Sequence, residues 1–443
     1  MLIQDQPRIQ NWINGQFVAP TASSSSAEAL QYLPVTSPYN AKIIGHVPLS
    51  TAADVAEAVA AAKKAFPVWS GRTIKERAAI LIRFHVLMTK HADLLADVVV
   101  LEHGKNKAEA LVSVSRGQEL VEYALSLPHV TQGKILEVSR GITCYDTRVP
   151  LGVVSSIVPF NFPLMVPLWT LSIAIVMGNT MVLKPSEKVP FTMTKVVELL
   201  KEAGLPDGVV NLVNGTAETV NALIDHPDVK AVTFAGTSKI AEIIAQRCHR
   251  LNKRVLALGG AKNHTIAAPD CDIELTSTDV VESFSGCSGE SCMAPTVLFT
   301  IGHQQDLIDR IVSKSEALRP GSLDGQMGPV IDQVSLDNIT RHINEAEVSG
   351  ARILVDGRRW TKSYQEGYWV GPTVILHTNK QDAALHEEVF GPVLSILQVE
   401  TAEEAIAIEN ASPYGNGAGI YTNSGATADF FIRRFNSGMC GIK

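Results

Sequence analysis

The sequence predicts an α/β fold of two domains, each built on a largely parallel sheet. Between Leu151 and Leu258, short apolar runs alternate with helical segments at βα spacing, and after Gly260 the alternation resumes with different contents. The chain is 443 residues long, room for two to four domains at roughly 100–200 residues each. Apolar strands joined by crossover helices make a parallel sheet covered on both faces, which takes its ligands at the strand C-terminal ends.

Residues 10–18 read as an edge hairpin around Asn14-Gly15, a dipeptide suited to the positive φ angles of a two-residue turn, followed by a serine-rich loop at 21–26. Helical patterns follow over Ala52–Phe66, Thr73–Lys90 and Ala92–Glu102, the last stopped by Gly104. Alternating residues between Gly133 and Pro150 predict a hairpin that interrupts the first domain, a projecting arm suited to subunit contact. Strand Gly152–Val158 then leads through Pro159–Pro163 into an apolar helix. Strand Thr180–Leu183 leads through Lys184-Pro-Ser-Glu187 to helix Thr192–Ala203, strand Val209–Val213 to helix Ala217–Asp225, and strand Ala231–Phe234 into Gly236-Thr-Ser and a further helix. Beyond Gly260, strands are expected at Thr296–Thr300, Ala351–Val355, Thr373–Leu376 and Val393–Val399. The expected division is 1–130 with 151–257, an arm at 131–150, and a second domain at 258–443.

Composition narrows the function. Charged residues are 19% of the chain, net charge is −7, and lysines and arginines form no stripe, which argues against a nucleic-acid partner. Six cysteines at irregular spacing, with no Cys-x-x-Cys pair, suggest neither a disulfide framework nor a metal site and fit a reducing compartment. Met1–Pro7 lacks the pattern of a secretory or organellar leader, so a cytoplasmic location is expected. No charge occurs between Arg148 and Lys184, but Pro159, Asn161, Pro163, Pro167 and Gly178 interrupt the stretch, so buried strand, loop and helix are expected there rather than a membrane span.

Five motifs carry side chains suited to chemistry. Cys292, in Gly289-Glu-Ser-Cys292-Met, follows small residues that read as a flexible approach, placing a thiol at a turn near backbone N–H groups; a lone cysteine is more often an inert core residue. Asn161 lies between Pro159 and Pro163, where a rigid amide suits an oxyanion as well as local backbone. Lys184 and Glu187 put a cation and a carboxylate after a strand, suited to ribose hydroxyls or to a solvated turn. Gly236 and Thr237 stand at a helix start, where free N–H groups attract a pyrophosphate and where an ordinary N-cap reads the same. Glu388-Val-Phe-Gly-Pro392 locks an acid and an aromatic ring before a Gly-Pro turn.

In this order and spacing the motifs resemble the aldehyde dehydrogenase superfamily from Trp12-Ile-Asn-Gly15 to Gly438. The closest resemblance is to its CoA-acylating methylmalonate-semialdehyde dehydrogenases, through Pro159-Phe-Asn-Phe-Pro163, Gly178-Asn-Thr180, Lys184-Pro-Ser-Glu187, Gly260-Ala-Lys-Asn-His264, Cys292-Met-Ala294 and Tyr414-Gly-Asn-Gly417. The resemblance implies an aldehyde dehydrogenase-like fold: a Rossmann-type NAD-binding domain, a catalytic domain and an oligomerisation hairpin, in a homo-oligomer. It implies NAD as cofactor, coenzyme A as co-substrate, and oxidation of malonate or methylmalonate semialdehyde to acetyl-CoA or propionyl-CoA. By the same resemblance Cys292 is the nucleophile, and Asn161 with the Cys292 N–H is the oxyanion hole. Lys184 and Glu187 hold the adenosine ribose, Gly236 and Thr237 the pyrophosphate, Glu388 the nicotinamide ribose. Phe160 and Phe390 flank the nicotinamide, and Val158 and Lys188 complete the cofactor set. Arg116, in Ser115-Arg-Gly-Gln118, matches an arginine that holds the substrate carboxylate and otherwise reads as a surface helix residue.

The chain departs from the pattern in three places. Hydrolytic members carry Glu-Leu-Gly-Gly-Lys where this chain has Ala257-Leu-Gly-Gly-Ala, so a water-activating carboxylate is missing and a thiol is expected to take the acyl group. Ser291 stands where the methylmalonate-semialdehyde enzymes have a second carboxylate-binding arginine. The chain stops at Lys443, short of a segment that in relatives pairs with the hairpin, so a truncated C-terminus is expected. Two other readings compete: a truncated, non-catalytic NAD-binding relative, and a hydrolytic dehydrogenase using Glu290 as base.

Overall fold

The computed structural model describes residues 7–21 and 32–443. Most of the loop expected at 21–26, and the leader-free reading of residues 1–6, fall outside the described residues. The chain divides into two compact units, one of Met1–Thr36, Ile43–His103 and Ala110–Gly259, the other of Ser37–Lys42, Gly104–Glu109 and Gly260–Lys443. The expected division into 1–130 and 151–257 against 258–443 needs correction at the two short insertions. Pro38 and Tyr39 accept bonds from Tyr368 and Trp369, and Lys107 and Asn106 donate to the carbonyls of Ser322 and Gln326, so both loops belong with the later residues.

In chain order the first unit contains β1 (Asn11–Ile13), β2 (Gln16–Val18), β3 (Tyr32–Thr36), β4 (Ile43–Pro48), α1 (Ala52–Ser70), α2 (Ile74–Lys90), α3 (Ala92–His103) and α4 (Lys107–Val130). There follow β5 (Lys134–Ser139), β6 (Ile142–Asp146), β7 (Val153–Ile157), α5 (Met165–Val176), β8 (Thr180–Lys184), α6 (Phe191–Glu202), β9 (Val210–Leu212), α7 (Ala217–Asp225), β10 (Val229–Ala235), α8 (Ser238–Arg250) and β11 (Arg254–Leu258). Asn14 and Gly15 take φ of 51° and 76°, the paired positive angles that the β1–β2 turn requires. The main sheet runs β11-β10-β7-β8-β9-β1-β2, parallel from β11 to β9. Val154 of β7 faces a cluster with Leu81, Phe84, Leu168 and Met193, while Val153 and Ile157 face Val55, Val59, Leu223 and Ile244. The sheet is thus covered on both faces, as expected for parallel strands whose central members β7, β8 and β9 are buried along their whole length. From β7 the chain steps one way to β8 and β9, then returns to add β10 and β11 on the other side. The C-terminal ends of β7 and β10 therefore flank the point where strand order reverses, which is where open α/β sheets open a ligand crevice. The β5–β6 hairpin stands apart from this core with all its strand residues exposed.

The second unit contains β12 (Asn263–Ala267), α9 (Ile273–Ser285), a 3-10 turn at Gly286–Gly289, β13 (Pro295–Ile301), α10 (Gln305–Ala317), α11 (Gln333–Val348), β14 (Arg352–Val355), α12 (Arg358–Ser363), β15 (Thr373–His377), α13 (Ala383–His386), β16 (Val393–Val399), α14 (Ala402–Asn410), β17 (Gly417–Tyr421), α15 (Gly425–Ile432) and β18 (Met439–Ile442). Its sheet runs β14-β15-β16-β13-β12-β17-β18 and is parallel except at β14. Strands β12, β17 and β18 add to those expected from the sequence; two of them contain glycine, which weakens a strand signal. Among the described residues no helix is long and apolar enough to cross a membrane, and the uncharged stretch before Lys184 forms β7, a loop, α5 and most of β8.

Candidate active site

In the first unit, the loops after β7 and β8 leave the sheet side by side, because the Val158 N–H donates to the Lys184 carbonyl at 3.1 Å. Asn161 lies in the first loop between its two prolines and is 3% exposed. Lys184 is buried with its ammonium 3.1 Å from Glu187 Oε2. Burial pushes the Glu187 carboxyl up, but the Lys184 charge and hydrogen bond, a backbone N–H and the Lys188 charge together hold the group below its ordinary value. The Lys188 ammonium sits 4.9 Å from the centre of the Phe160 ring. Val158, Phe160, Asn161, Lys184, Glu187 and Lys188 are thus brought together.

Glu102, buried near the end of α3, is a support that sequence reasoning missed. It accepts the Phe191 and Thr192 N–H groups at 2.7 and 2.9 Å and the Thr192 hydroxyl, capping α6 and so fixing the far end of the Lys184–Lys188 loop. Burial raises its carboxyl to about 7 against the pull of those three donors. Nothing in Val-Leu-Glu102-His distinguishes this acid from a surface one.

Beside β7, at the end of β10, Gly236 donates to the Leu258 carbonyl at 3.1 Å and Thr237 is the N-cap of α8. The Thr237 hydroxyl caps no helical N–H, and a Cβ on Gly236 would stand 2.6 Å from the Phe234 ring. A bare backbone, an uncommitted hydroxyl and a helix N-terminus at a strand-order reversal fit a pyrophosphate. Arg116 is not drawn into this cluster. It lies exposed on α4, its guanidinium 2.7 Å from Glu119 one turn along. Ala257, in register with Phe234, packs its methyl against the apolar cluster of Val55 and Ile244.

In the second unit, Cys292 occupies the turn that leads into β13, half-buried. Its approach is pinned rather than flexible, which corrects the sequence reading. Cys287 and Ser288 take φ of 52° and 56°, the Ser288 hydroxyl donates to the Gly328 carbonyl at 2.7 Å, and the Cys287 N–H donates to Glu109. Gly289 has φ of 71°, and a Cβ there would lie 2.1 Å from the Gly391 carbonyl carbon. The glycine therefore lets the cysteine loop touch the backbone of the loop that carries Glu388 and Phe390. Phe390 itself holds φ of 53°, a strained conformation for an aromatic residue.

Glu388 accepts the Ala261 N–H at 2.9 Å, with its other oxygen over Gly260, where a Cβ would lie 2.2 Å away. Burial raises its carboxyl, opposed by the Ala261 bond and by Lys262. Lys262 is itself buried, and desolvation brings its ammonium down to about 7 against the pull of Glu388 and Glu387. Glu290, the base considered for a hydrolytic reaction, is fully buried with Oε1 accepting the Ile331 N–H at 3.1 Å, which ties the side chain to neighbouring backbone. Ser291 is half-buried, its hydroxyl accepting the Met293 N–H at 3.3 Å.

The Cys292 thiol is pushed above its ordinary value, first by burial and then by the Glu388 carboxylate. Removing that negative charge stabilises the thiolate, so the sign is a downward shift. Glu388→Gln is expected to move the midpoint of the pH profile for alkylation of Cys292 by iodoacetamide to lower pH. An unchanged midpoint, followed by mass spectrometry of the Cys292 peptide, would refute the electrostatic link.

Residues 25–443 match the aldehyde dehydrogenase family. Malonate-semialdehyde dehydrogenase 1 of Geobacillus thermodenitrificans is 39% identical over 439 residues, covering 98% of this chain and 89% of the relative. The crystal structure of methylmalonate-semialdehyde dehydrogenase from Oceanimonas doudoroffii superposes with a TM-score of 0.94 at 39% identity, over 98% of this chain and 89% of that one. An NAD+ complex of aldehyde dehydrogenase from Bacillus cereus superposes with a TM-score of 0.93 at 28% identity, over 98% and 88%.

Proposed function

The chain belongs to the aldehyde dehydrogenase family and has its α/β fold, and from that premise we propose that it oxidises malonate or methylmalonate semialdehyde with NAD and hands the acyl group to coenzyme A. The observation that carries the acyl transfer is the residue at position 257, where hydrolytic members of the family carry a glutamate and this chain holds a methyl group packed on an apolar cluster. Glu290, two residues before Cys292, accepts the Ile331 N–H. The names of the similar enzymes support the semialdehyde, and the NAD+ complex of a structural relative supports the cofactor.

Cys292 adds its sulfur to the aldehyde carbon, and the family resemblance assigns the oxyanion that forms to the Asn161 amide and the Cys292 N–H. By the family resemblance Lys184, Glu187, Gly236, Thr237 and Glu388, with Val158, Phe160, Lys188 and Phe390, would hold NAD, which when bound would supply the hydride acceptor needed to convert the Cys292 adduct to a thioester. Glu388 would accept hydrogen bonds from the ribose hydroxyls of bound NAD, which would weaken the charge that opposes the Cys292 thiolate. The substrate carboxylate on the alpha carbon leaves as carbon dioxide, its electron pair forming an enolate at the thioester carbonyl, and the enolate takes a proton from solvent at the alpha carbon to give the acetyl or propionyl thioester. A coenzyme A thiol then attacks the thioester carbon and Cys292 departs as the thiolate. Arg116 would have to release Glu119 to hold the substrate carboxylate, and with serine at 291 it would hold that group alone.

Asn161→Ala is expected to lower kcat by about 10²–10³, the cost of one preorganised oxyanion donor. Steady-state NADH formation checks it, and a loss below threefold would remove Asn161 from the oxyanion role. The reaction as a whole is tested by supplying malonate or methylmalonate semialdehyde with NAD, with and without coenzyme A, and identifying the products by mass spectrometry. Free acid formed equally fast without coenzyme A would instead indicate hydrolysis. We assign the enzyme to the reducing cytoplasm, with its six cysteines as free thiols, and assign the exposed Ile135, Leu136, Ile142 and Tyr145 of the hairpin to contact with a second copy in a homo-oligomer.

A further inference from the structure

Taking Cys292 as the nucleophile proposed above, we infer that Asn263 and Asn416 form a two-amide clamp that positions it. Asn263 opens β12 and Asn416 immediately precedes β17, the parallel neighbour of β12, while Cys292 leads into β13 on the other side of β12. The three residues therefore meet at one end of the sheet although far apart in sequence. Asn263 Nδ2 donates to the Cys292 carbonyl at 2.8 Å and to the Ala294 carbonyl at 3.1 Å. Asn416 Nδ2 donates to the same Cys292 carbonyl at 2.9 Å, with Asn263 Oδ1 and Met293 Sδ each at 3.3 Å.

Both lone pairs of the Cys292 carbonyl are engaged. Turning either amide over would set its oxygen against that carbonyl, acceptor facing acceptor, so the bonding pattern fixes the orientation of both side chains. On the other side of the Cys292 Cα, the Ser291 carbonyl accepts the Ala294 N–H at 3.1 Å. The peptide plane that carries the Cys292 N–H and the plane that carries its carbonyl are thus both tied. Together they set the direction of the sulfur and of the oxyanion-binding N–H. The asparagines act on the reaction through Cys292 and are positioning residues. Both lie in motifs that carry the resemblance to the CoA-acylating enzymes, Gly260-Ala-Lys-Asn-His264 and Tyr414-Gly-Asn-Gly417.

The test compares the full-length parent with Asn263→Ala, Asn416→Ala, Asn416→Asp and the double alanine variant, by hydrogen exchange over residues 291–294 and by kcat per folded subunit. Each single alanine leaves one amide on the carbonyl, whereas the double leaves a buried acceptor unmet. The double is therefore expected to lose more than the product of the single effects, by roughly tenfold to a hundredfold in kcat, with faster exchange and little change in KM for the aldehyde. Asn416→Asp keeps the shape but opposes two acceptors, so it should fall below Asn416→Ala, a distinction that a space-filling role would not make. Should Asn263→Ala fail to fold, the pair at the half-buried position 416 decides the matter. Parent-like exchange and kcat in Asn416→Asp, or losses in proportion to unfolded protein alone, would overturn the clamp. A parent that makes no NADH would defeat the proposed function, while hydrogen exchange would still judge the clamp.

Discussion

Serine at position 292 is expected to lower kcat by about 10⁴-fold or more, the scale on which enzymes lose activity when their nucleophile is removed. The substitution changes one atom. Asn263 and Asn416 grip the backbone of residue 292, not its side chain, so the turn should persist with a hydroxyl in place of the thiol. A thiol ionises with a pKa near 8.5 and is intrinsically a strong nucleophile, while a hydroxyl needs an adjacent base to attack at all. The two acids closest to the task are committed elsewhere: Glu290 to the Ile331 N–H and Glu388 to the Ala261 N–H. NAD binding, followed by fluorescence titration, should match the parent. A variant that keeps more than a tenth of parental turnover would show that another group carries the acyl intermediate.

Omitting coenzyme A is expected to leave a single burst of NADH, about one per subunit, followed by a rate at least about 10²-fold below the complete reaction, the low end of what a positioned general base contributes. Water has a pKa near 15.7 and is a poor nucleophile at neutral pH without a base, so the Cys292 thioester should wait for a thiol. Ala257→Glu supplies the converse. Placed against the apolar cluster of Val55 and Ile244, the new carboxyl is partly desolvated and its pKa raised toward the operating pH, which suits a base. The variant should raise CoA-independent turnover and release free acid, read by quenched flow and mass spectrometry. Steady release of acid by the parent without coenzyme A, at the rate seen with it, would defeat acyl transfer to a thiol.

Much of the architecture was legible because local chemistry and tertiary demand agree. Asn14-Gly15 suits a turn with positive φ, and the runs Val153–Ile157 and Thr180–Lys184, mostly apolar and free of acidic residues, are buried along their whole length. Motif order then carried the family and the fold. Glycine-bearing β17 and β18 escaped notice, since glycine signals a turn more strongly than a strand. The loops Ser37–Lys42 and Gly104–Glu109 were misassigned because their partners lie hundreds of residues downstream. Separation in sequence, 29 and 124 residues, also hid the Asn263 and Asn416 bonds to Cys292, as 89 residues hid Glu102 from Phe191 at the start of α6. A side chain that serves a remote backbone leaves no periodicity behind. The approach to Cys292 was misread for a different reason: glycine reports freedom in an isolated chain, whereas at Gly289 its missing Cβ is space already taken by Gly391.

That contact also governs how the two loops can move. With only main chain between Gly289 and Gly391, the strand of residues leading to the sulfur and the one bearing the acid are geared together, with no side chain in between to act as a cushion. A displacement of the loop that bears Glu388 would therefore be passed through main chain to the turn that bears Cys292, and a cofactor bound as proposed would act on the nucleophile by that route.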